Sequence, residues 1–276
     1  MIGRSLRRDA VHRGRLLAVV LPAVVLLAGG VSACSGGDDT PPTTAPPSTT
    51  VAPVVAAVGV PLTESYFASL ARLPEVEPGA PPAAVPGSDA AIFAHHQAAA
   101  RRLLGLVTPR TAEAALDGFL VCEVDGGCST YSGVVTEPAS GRLTSFSVDG
   151  SPLTGRIAGS GPAADRDGIV VRVTSAYVSV GGDLFVVLDV ANTSAFGVEL
   201  FGFAAVLQPT GSNGPTAGAS TEAAGAWGAA TIDADSTGEM MLVFSASSLG
   251  GQFQLSGLRD DGLDLAFEVV VPTPDQ

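Results

Sequence analysis

The chain has 276 residues and no lysine. That absence excludes Schiff-base catalysis, a Ser-Lys dyad and a phosphate-binding P-loop, all of which need the primary amine. Histidine is nearly missing too: of three, only His95 and His96 lie beyond the first 33 residues. No Gly-x-Ser-x-Gly stands in a strand-turn-helix context, and no His-Glu-x-x-His occurs, so hydrolase and zinc-protease signatures are lacking. Positive charge is scarce, with 14 arginines against 27 acidic residues. So few cations argue against nucleic acid or anionic lipid as a ligand. There are three cysteines and a single tryptophan.

What is present begins at the N-terminus. Arg4, Arg7, Arg8, Arg13 and Arg15 precede an apolar run from Leu16 to Ala28, followed by Gly29-Gly30-Val31-Ser32-Ala33-Cys34. This charged, apolar, small-residue order is that of a secretory signal over residues 1–33. The run is shorter than the ~20 residues of a spanning helix and contains Pro22, which argues against a transmembrane anchor. Val31-Ser32-Ala33-Cys34 resembles the bacterial lipobox. The resemblance implies cleavage before Cys34 and a thioether-linked diacylglycerol on that residue. Two acyl chains suffice for stable anchoring, so the expected location is the outer face of the cell membrane. Loss of residues 1–33 removes five arginines and one aspartate. It leaves nine cations against 26 acidic groups, a formal charge of −17.

With Cys34 assigned to lipid, Cys122 and Cys128 remain as a pair in an oxidising compartment, and a disulfide is expected. They lie symmetrically about Asp125, in position to face each other across a hairpin. Residues 34–60 are rich in Pro, Thr, Ser, Gly and Ala, with the core Thr40-Pro41-Pro42-Thr43-Thr44-Ala45-Pro46-Pro47. Such a segment cannot bury a core and reads as a disordered stalk, bare or O-glycosylated.

From residue 61 to 160 the pattern is that of a small α+β unit. Thr63 to Leu73 has helical spacing at Tyr66, Phe67, Leu70 and Leu73. Ser88-Asp89 reads as an N-cap for a helix to about Leu106, whose apolar face is Ile92, Phe93, His96, Ala99, Ala100, Leu103 and Leu104. Thr108-Pro109 predicts a third helix, ending near Gly118. Four strands follow: Phe119 to Val124, Cys128 to Glu137, Arg142 to Val148 and Ser151 to Ile157. Asp149-Gly150 between the last two is a hairpin signal. This unit is therefore expected to hold two or three helices and a four-stranded antiparallel meander.

From residue 165 to 276 the chain alternates with period two. Leu184, Val186, Leu188 and Val190 share one face, as do Met240, Leu242 and Phe244, and Leu263, Leu265, Phe267, Val269 and Val271. Many short strands without a helix predict a two-sheet β-sandwich, with a barrel as the alternative. The segments Val171-Arg172-Val173-Thr174-Ser175-Ala176, Gly182-Asp183-Leu184 through Asn192-Thr193-Ser194, and Ser236-Thr237-Gly238-Glu239 through Val243-Phe244 resemble telokin-like immunoglobulin-type domains of secreted bacterial proteins. The resemblance covers about residues 167–272. It implies an immunoglobulin-like sandwich, and it implies no catalytic residues.

The remaining candidates are few. His95 and His96 are adjacent on a helix, so they point about 100° apart and cannot share a ligand. His96 is expected on the packed face and His95 towards solvent. Asp165-Arg166-Asp167-Gly168 and Asp260-Asp261-Gly262-Leu263-Asp264 are acidic turns without calcium-loop spacing. Asn192-Thr193-Ser194 matches a glycosylation sequon but reads as a turn. Trp227 is either a core residue or an exposed anchor for a partner.

The resulting expectation is a mainly β, lipid-anchored envelope lipoprotein acting as a non-catalytic binding or scaffolding module. It takes no cofactor, metal or nucleic acid, and its partner is an envelope protein or glycan. An envelope enzyme or accessory factor built on the helix-plus-meander unit is one alternative. A carrier of an apolar ligand is the other. The enzyme would show a pocket of converging polar groups near the histidines, the carrier a large apolar cavity, and the scaffold neither, with an exposed apolar patch in their place.

Overall fold

The computed structural model describes residues 60–73, 82–209 and 220–274. Cys34, the 1–33 signal and nearly all of the 34–60 stalk lie outside the described residues. No helix among the described residues is long and apolar enough to cross a membrane.

The described chain is mainly β, with two α-helices and three antiparallel sheets. Helix α1 (Val60–Ala71) buries Tyr66, Phe67 and Leu70. Helix α2 (Asp89–Leu103) starts where the Ser88 side chain accepts a hydrogen bond from the Ala91 N–H at 3.3 Å. That bond satisfies one of the free donors of the first turn. A five-stranded meander follows: β1 (Thr111–Ala115), β2 (Gly118–Cys122), β3 (Cys128–Thr136), β4 (Leu143–Val148) and β5 (Ser151–Pro152), paired in chain order. Asp149 and Gly150 both adopt positive φ, 48° and 77°, between the paired Val148 and Ser151. This two-residue turn has the hand that suits the twist of its strands.

Three readings of this region are corrected. The segment after Thr108-Pro109 is strand β1, not a third helix, and the meander has five strands, not four. A helix between Pro109 and Gly118 would be too short to be stable alone. Asp117-Gly118 instead closes a tight hairpin, in which Ala115 pairs with Gly118. The span Ser151 to Ile157 is not one strand either. Its end, β6 (Ile157–Ala158), pairs with a strand of a different sheet.

The chain continues through β7 (Ala163–Arg166), β8 (Ile169–Val178), β9 (Leu184–Asn192), β10 (Val198–Leu200), a 3-10 turn (Gly202–Ala204) and β11 (Val206–Gln208). After the 210–219 gap come β12 (Thr221–Glu222), β13 (Gly225–Gly228), β14 (Thr231–Ile232), β15 (Ser236–Phe244), β16 (Gln252–Arg259) and β17 (Asp264–Val270). One six-stranded sheet runs β13-β15-β9-β8-β6, with β7 also on β8. The other runs β12-β11-β16-β10-β14, with β17 also on β16. Their facing side chains fill one core, including Val171, Leu188, Leu242, Phe244, Phe253 and Phe267. A second core lies between the helices and the meander, around Tyr66, Phe67, Phe93, Tyr131 and Phe146.

The two cores meet through α2. Its Ala99 and Ala100 pack on Val187, Met241 and Val243, the outward side chains of β9 and β15. Phe93 meets Tyr177 of β8 edge-on, with ring centroids 5.4 Å apart. Arg102 forms a forked ion pair with Glu239, 137 residues away.

Candidate functional site

Three elements enclose a cleft of about 450 Å³. One wall is a single face of α2 and its C-cap: Phe93, His96, Gln97, Ala100, Arg101 and Leu104, at helical spacing. The meander supplies Glu123, Ser129, Tyr131, Val148 and Asp149. Strands β8 and β9 supply Tyr177 and Phe185, and the turn joining them supplies Ser179, Val180 and Gly181. Arg110 and Leu106 come from the segment between α2 and β1.

The charged groups of this cleft also hold the fold. Helix α1 has no basic residue in its last turn, so its terminal carbonyls need donors from elsewhere. Arg101 donates Nε to Leu73 O at 3.1 Å and Nη2 to Thr108 O at 2.8 Å. Its fork also engages both carboxylate oxygens of Glu123, at 2.5 and 3.3 Å. Arg110 donates Nη2 to Leu70 O at 2.5 Å, and its Nε lies 3.8 Å from Glu123 Oε1. That Nε is buried without a hydrogen-bond partner. Burial lowers the pKa of Arg110 from its ordinary value, against the opposing pull of Tyr131 and Glu123. Behind Tyr177 the Arg156 guanidinium sits over the ring, 5.5 Å from its centroid, and donates to Val178 O. Its Nη1 is likewise buried and unpartnered.

The titratable hydroxyls and the imidazole are held neutral. Burial pushes the Tyr131 hydroxyl up to about 12, although Arg110 pulls the other way. Burial raises Tyr177 as well, against Arg156. His96 is buried, with Nδ1 3.0 Å from the Oγ of the fully buried Ser175. Desolvation, helped by the neighbouring His95, drops the His96 pKa to about 3. An imidazole so depressed is a weak base at neutral pH, and its one hydroxyl partner is sealed in the core. Ser179, the hydroxyl on the cleft's third wall, accepts from the Asp183 N–H at 3.1 Å. The arrangement suits binding through fixed donors better than proton transfer.

The histidines diverge as their adjacency requires. His95 is half-buried and faces a separate hollow of about 500 Å³ with Asp89, Ile157 and Thr174. Among the described residues no group of three or more His, Cys, Asp or Glu side chains is placed to hold a metal ion. Cys122 and Cys128 form a disulfide across the β2–β3 hairpin, with Cα atoms 4.0 Å apart. In the acidic turn at 260–264 the Arg259 fork binds Asp261, at 2.9 and 2.8 Å. Asn192 is buried, donating to Phe196 O, Ile232 O and Asp233 O while its Oδ1 accepts from Ser194. It works as a turn clamp, inaccessible to a glycan. Trp227 is 38% exposed and lies in an apolar groove with Phe201 and Phe203, not in the core.

Arg101, Arg110, Glu123, Tyr131 and Tyr177 were not singled out from the sequence. One signal for them existed. Arg101 falls four residues after Gln97 and eight after Phe93, on the packed stripe of α2, where a cation needs a buried partner. Comparison with protein-family models, with curated proteins and with solved structures finds no match in any of the three.

Proposed function

We propose that this protein is a non-catalytic binding module of the cell envelope, exported and held at the outer membrane face by acyl chains on Cys34. In this reading residues 34–60 are its stalk. Residues 165–276 are an immunoglobulin-like sandwich of the telokin-like type, and the cleft along α2 is where the ligand sits. The carrying observation is the cleft itself. Its volume is in the range of small-molecule sites, and it lies at the junction of two cores, where such sites concentrate. A pocket of converging polar groups beside a histidine is what the enzyme alternative calls for, and the preference for binding rests on that histidine being neutral and bonded away into the core.

The test is complementation of a null strain at matched protein levels. Gly181 is exposed at the cleft rim, and a Cβ there would make only ordinary contact with Ser179 Oγ. Gly181→Trp is expected to fold, remain membrane-bound and fail to complement. Cys34→Ala is expected to leave the membrane fraction. Full complementation by Gly181→Trp removes the cleft as the working site. Retention of Cys34→Ala in carbonate-washed membranes removes the lipid anchor.

A further inference from the structure

We propose that the cleft binds an amphiphilic monocarboxylic acid, with its carboxylate against the Arg110 guanidinium and the Tyr131 hydroxyl and its apolar body along the rim. The inference rests on the reading of this cleft as the ligand site, and adds the class of ligand.

The first argument is charge. The chain beyond residue 33 has nine arginines against 26 acidic groups, yet two guanidiniums line this cleft and a third, that of Arg156, sits over the Tyr177 ring of its wall. Arg101 and Arg110 share one carboxylate, Glu123. Arg156 stands behind Tyr177 with backbone and hydroxyl acceptors only. The other acid on the walls, Asp149, already accepts from the Thr130 N–H at 2.7 Å. On the walls two cations, Arg101 and Arg110, stand with two acids, Glu123 and Asp149, and Arg156 adds a third cation behind Tyr177. This balance leaves room for one negative charge at most, since a second would add to the two carboxylates already on the walls.

The second argument is hydrogen bonding. Among the described residues only two buried side-chain nitrogen or oxygen atoms lack a partner: Arg110 Nε and Arg156 Nη1. Arg110 lines this cleft, whereas Arg156 stands behind Tyr177 and is not part of its lining. A buried cation short of acceptors costs stability, and an anion seated beside it recovers that cost. Guanidinium and carboxylate match as planar forks, and a phenolic O–H adds a neutral donor.

The third argument is the rim. Leu104, Leu106, Val180 and Phe185 border the opening, and Leu106 and Val180 are 45% and 50% exposed. Apolar side chains at the mouth of a polar-floored cleft fit a ligand that carries its charge at one end.

The test is isothermal titration calorimetry on the mature protein carrying Cys34→Ala, which avoids detergent. The probes are octanoate, 1-octanol, octyl phosphate and acetate. Octanoate is expected to saturate at one per chain, binding at least about tenfold tighter than the other three. Arg110→Gln should weaken octanoate about tenfold and leave 1-octanol unchanged. Because Arg110 also caps α1, Tyr131→Phe is measured beside it. This variant keeps the ring in the core and is expected to weaken octanoate alone. If 1-octanol binds as tightly as octanoate, the anion seat is refuted while the cleft remains a binding site. Tighter binding of octyl phosphate refutes the preference for a monoanion. If no probe binds below about 10 mM, this inference falls, whereas the cleft reading still stands or falls on Gly181→Trp complementation.

Discussion

The two six-stranded sheets share a core but differ on their outer faces. In β16 and β17 burial alternates strictly: Phe253, Leu255, Leu265 and Phe267 point in, while Gln254, Ser256, Asp264 and Glu268 face water. In β9 and β15 both faces are covered. Leu184, Val186, Leu188, Leu242 and Phe244 fill the core between the sheets, while Val187, Met241 and Val243 are buried on the other side against α2. The first sheet shows the pattern of an antiparallel sheet with one wet face, the second that of a sheet buried on both sides. The difference marks where the helical unit docks, and the β8–β9 turn at that junction becomes the third wall of the cleft.

The sharpest way to break this comparison is to place the same charge on the outer face of each sheet. Met241→Asp puts a carboxylate under α2 and is expected to cost more than about 3 kcal/mol. Ser256→Asp, outward on the other sheet, is expected to cost less than about 1 kcal/mol. Urea denaturation of both variants decides it. Equal losses would mean that α2 does not cover the β9–β15 sheet in solution.

The second expectation concerns His96, which bonds Ser175 on the covered face. The unfolded imidazole takes its proton near pH 6.5 and the folded one only near 3. Between those values the unfolded chain binds the extra proton. Stability contributed by the neutral histidine is therefore intact above about pH 6.5 and is lost as pH falls, by about 1.4 kcal/mol per unit. His96→Gln should flatten the profile between about pH 6 and pH 4 by one proton, and thermal unfolding across that range measures it. An unchanged slope would show that α2 is not seated on β8.

The smallest effect sharpens the same contact from outside. Arg102 and Glu239 join α2 to β15 as a forked pair, but both side chains are about one-third exposed. Arg102→Gln is expected to cost no more than about 1 kcal/mol, and less at high salt. A loss of several kcal/mol would make this pair, not the apolar contact, the principal link between the two cores.

These elements also show how far the sequence reads. Asp149-Gly150, the Ser88 cap and the period-two strands are local features, set by positive φ, a free N–H or the pleat, and each is visible within a few residues. At Thr108-Pro109 a proline in first-turn position led to the expectation of a helix, where β1 instead pairs with β2 through a turn at Leu116-Asp117. The apolar outward positions Val187, Met241 and Val243 were readable as a strand buried on both faces. They do not say which element covers them, since any apolar surface of matching shape satisfies burial.

The sequence by itself determined the Cys122–Cys128 pairing, the alternation of the strands and the divergence of His95 from His96. Each follows from covalent order or from the period of one element. Only the tertiary structure brought Arg101, Arg110, Glu123, Tyr131 and Tyr177 to one cleft and left Trp227 in a half-open groove. They stand on different elements, far apart along the chain. Which side chains meet depends on where α2 settles between two cores, a contact set by packed area and by the need to satisfy buried charge, which no local pattern records.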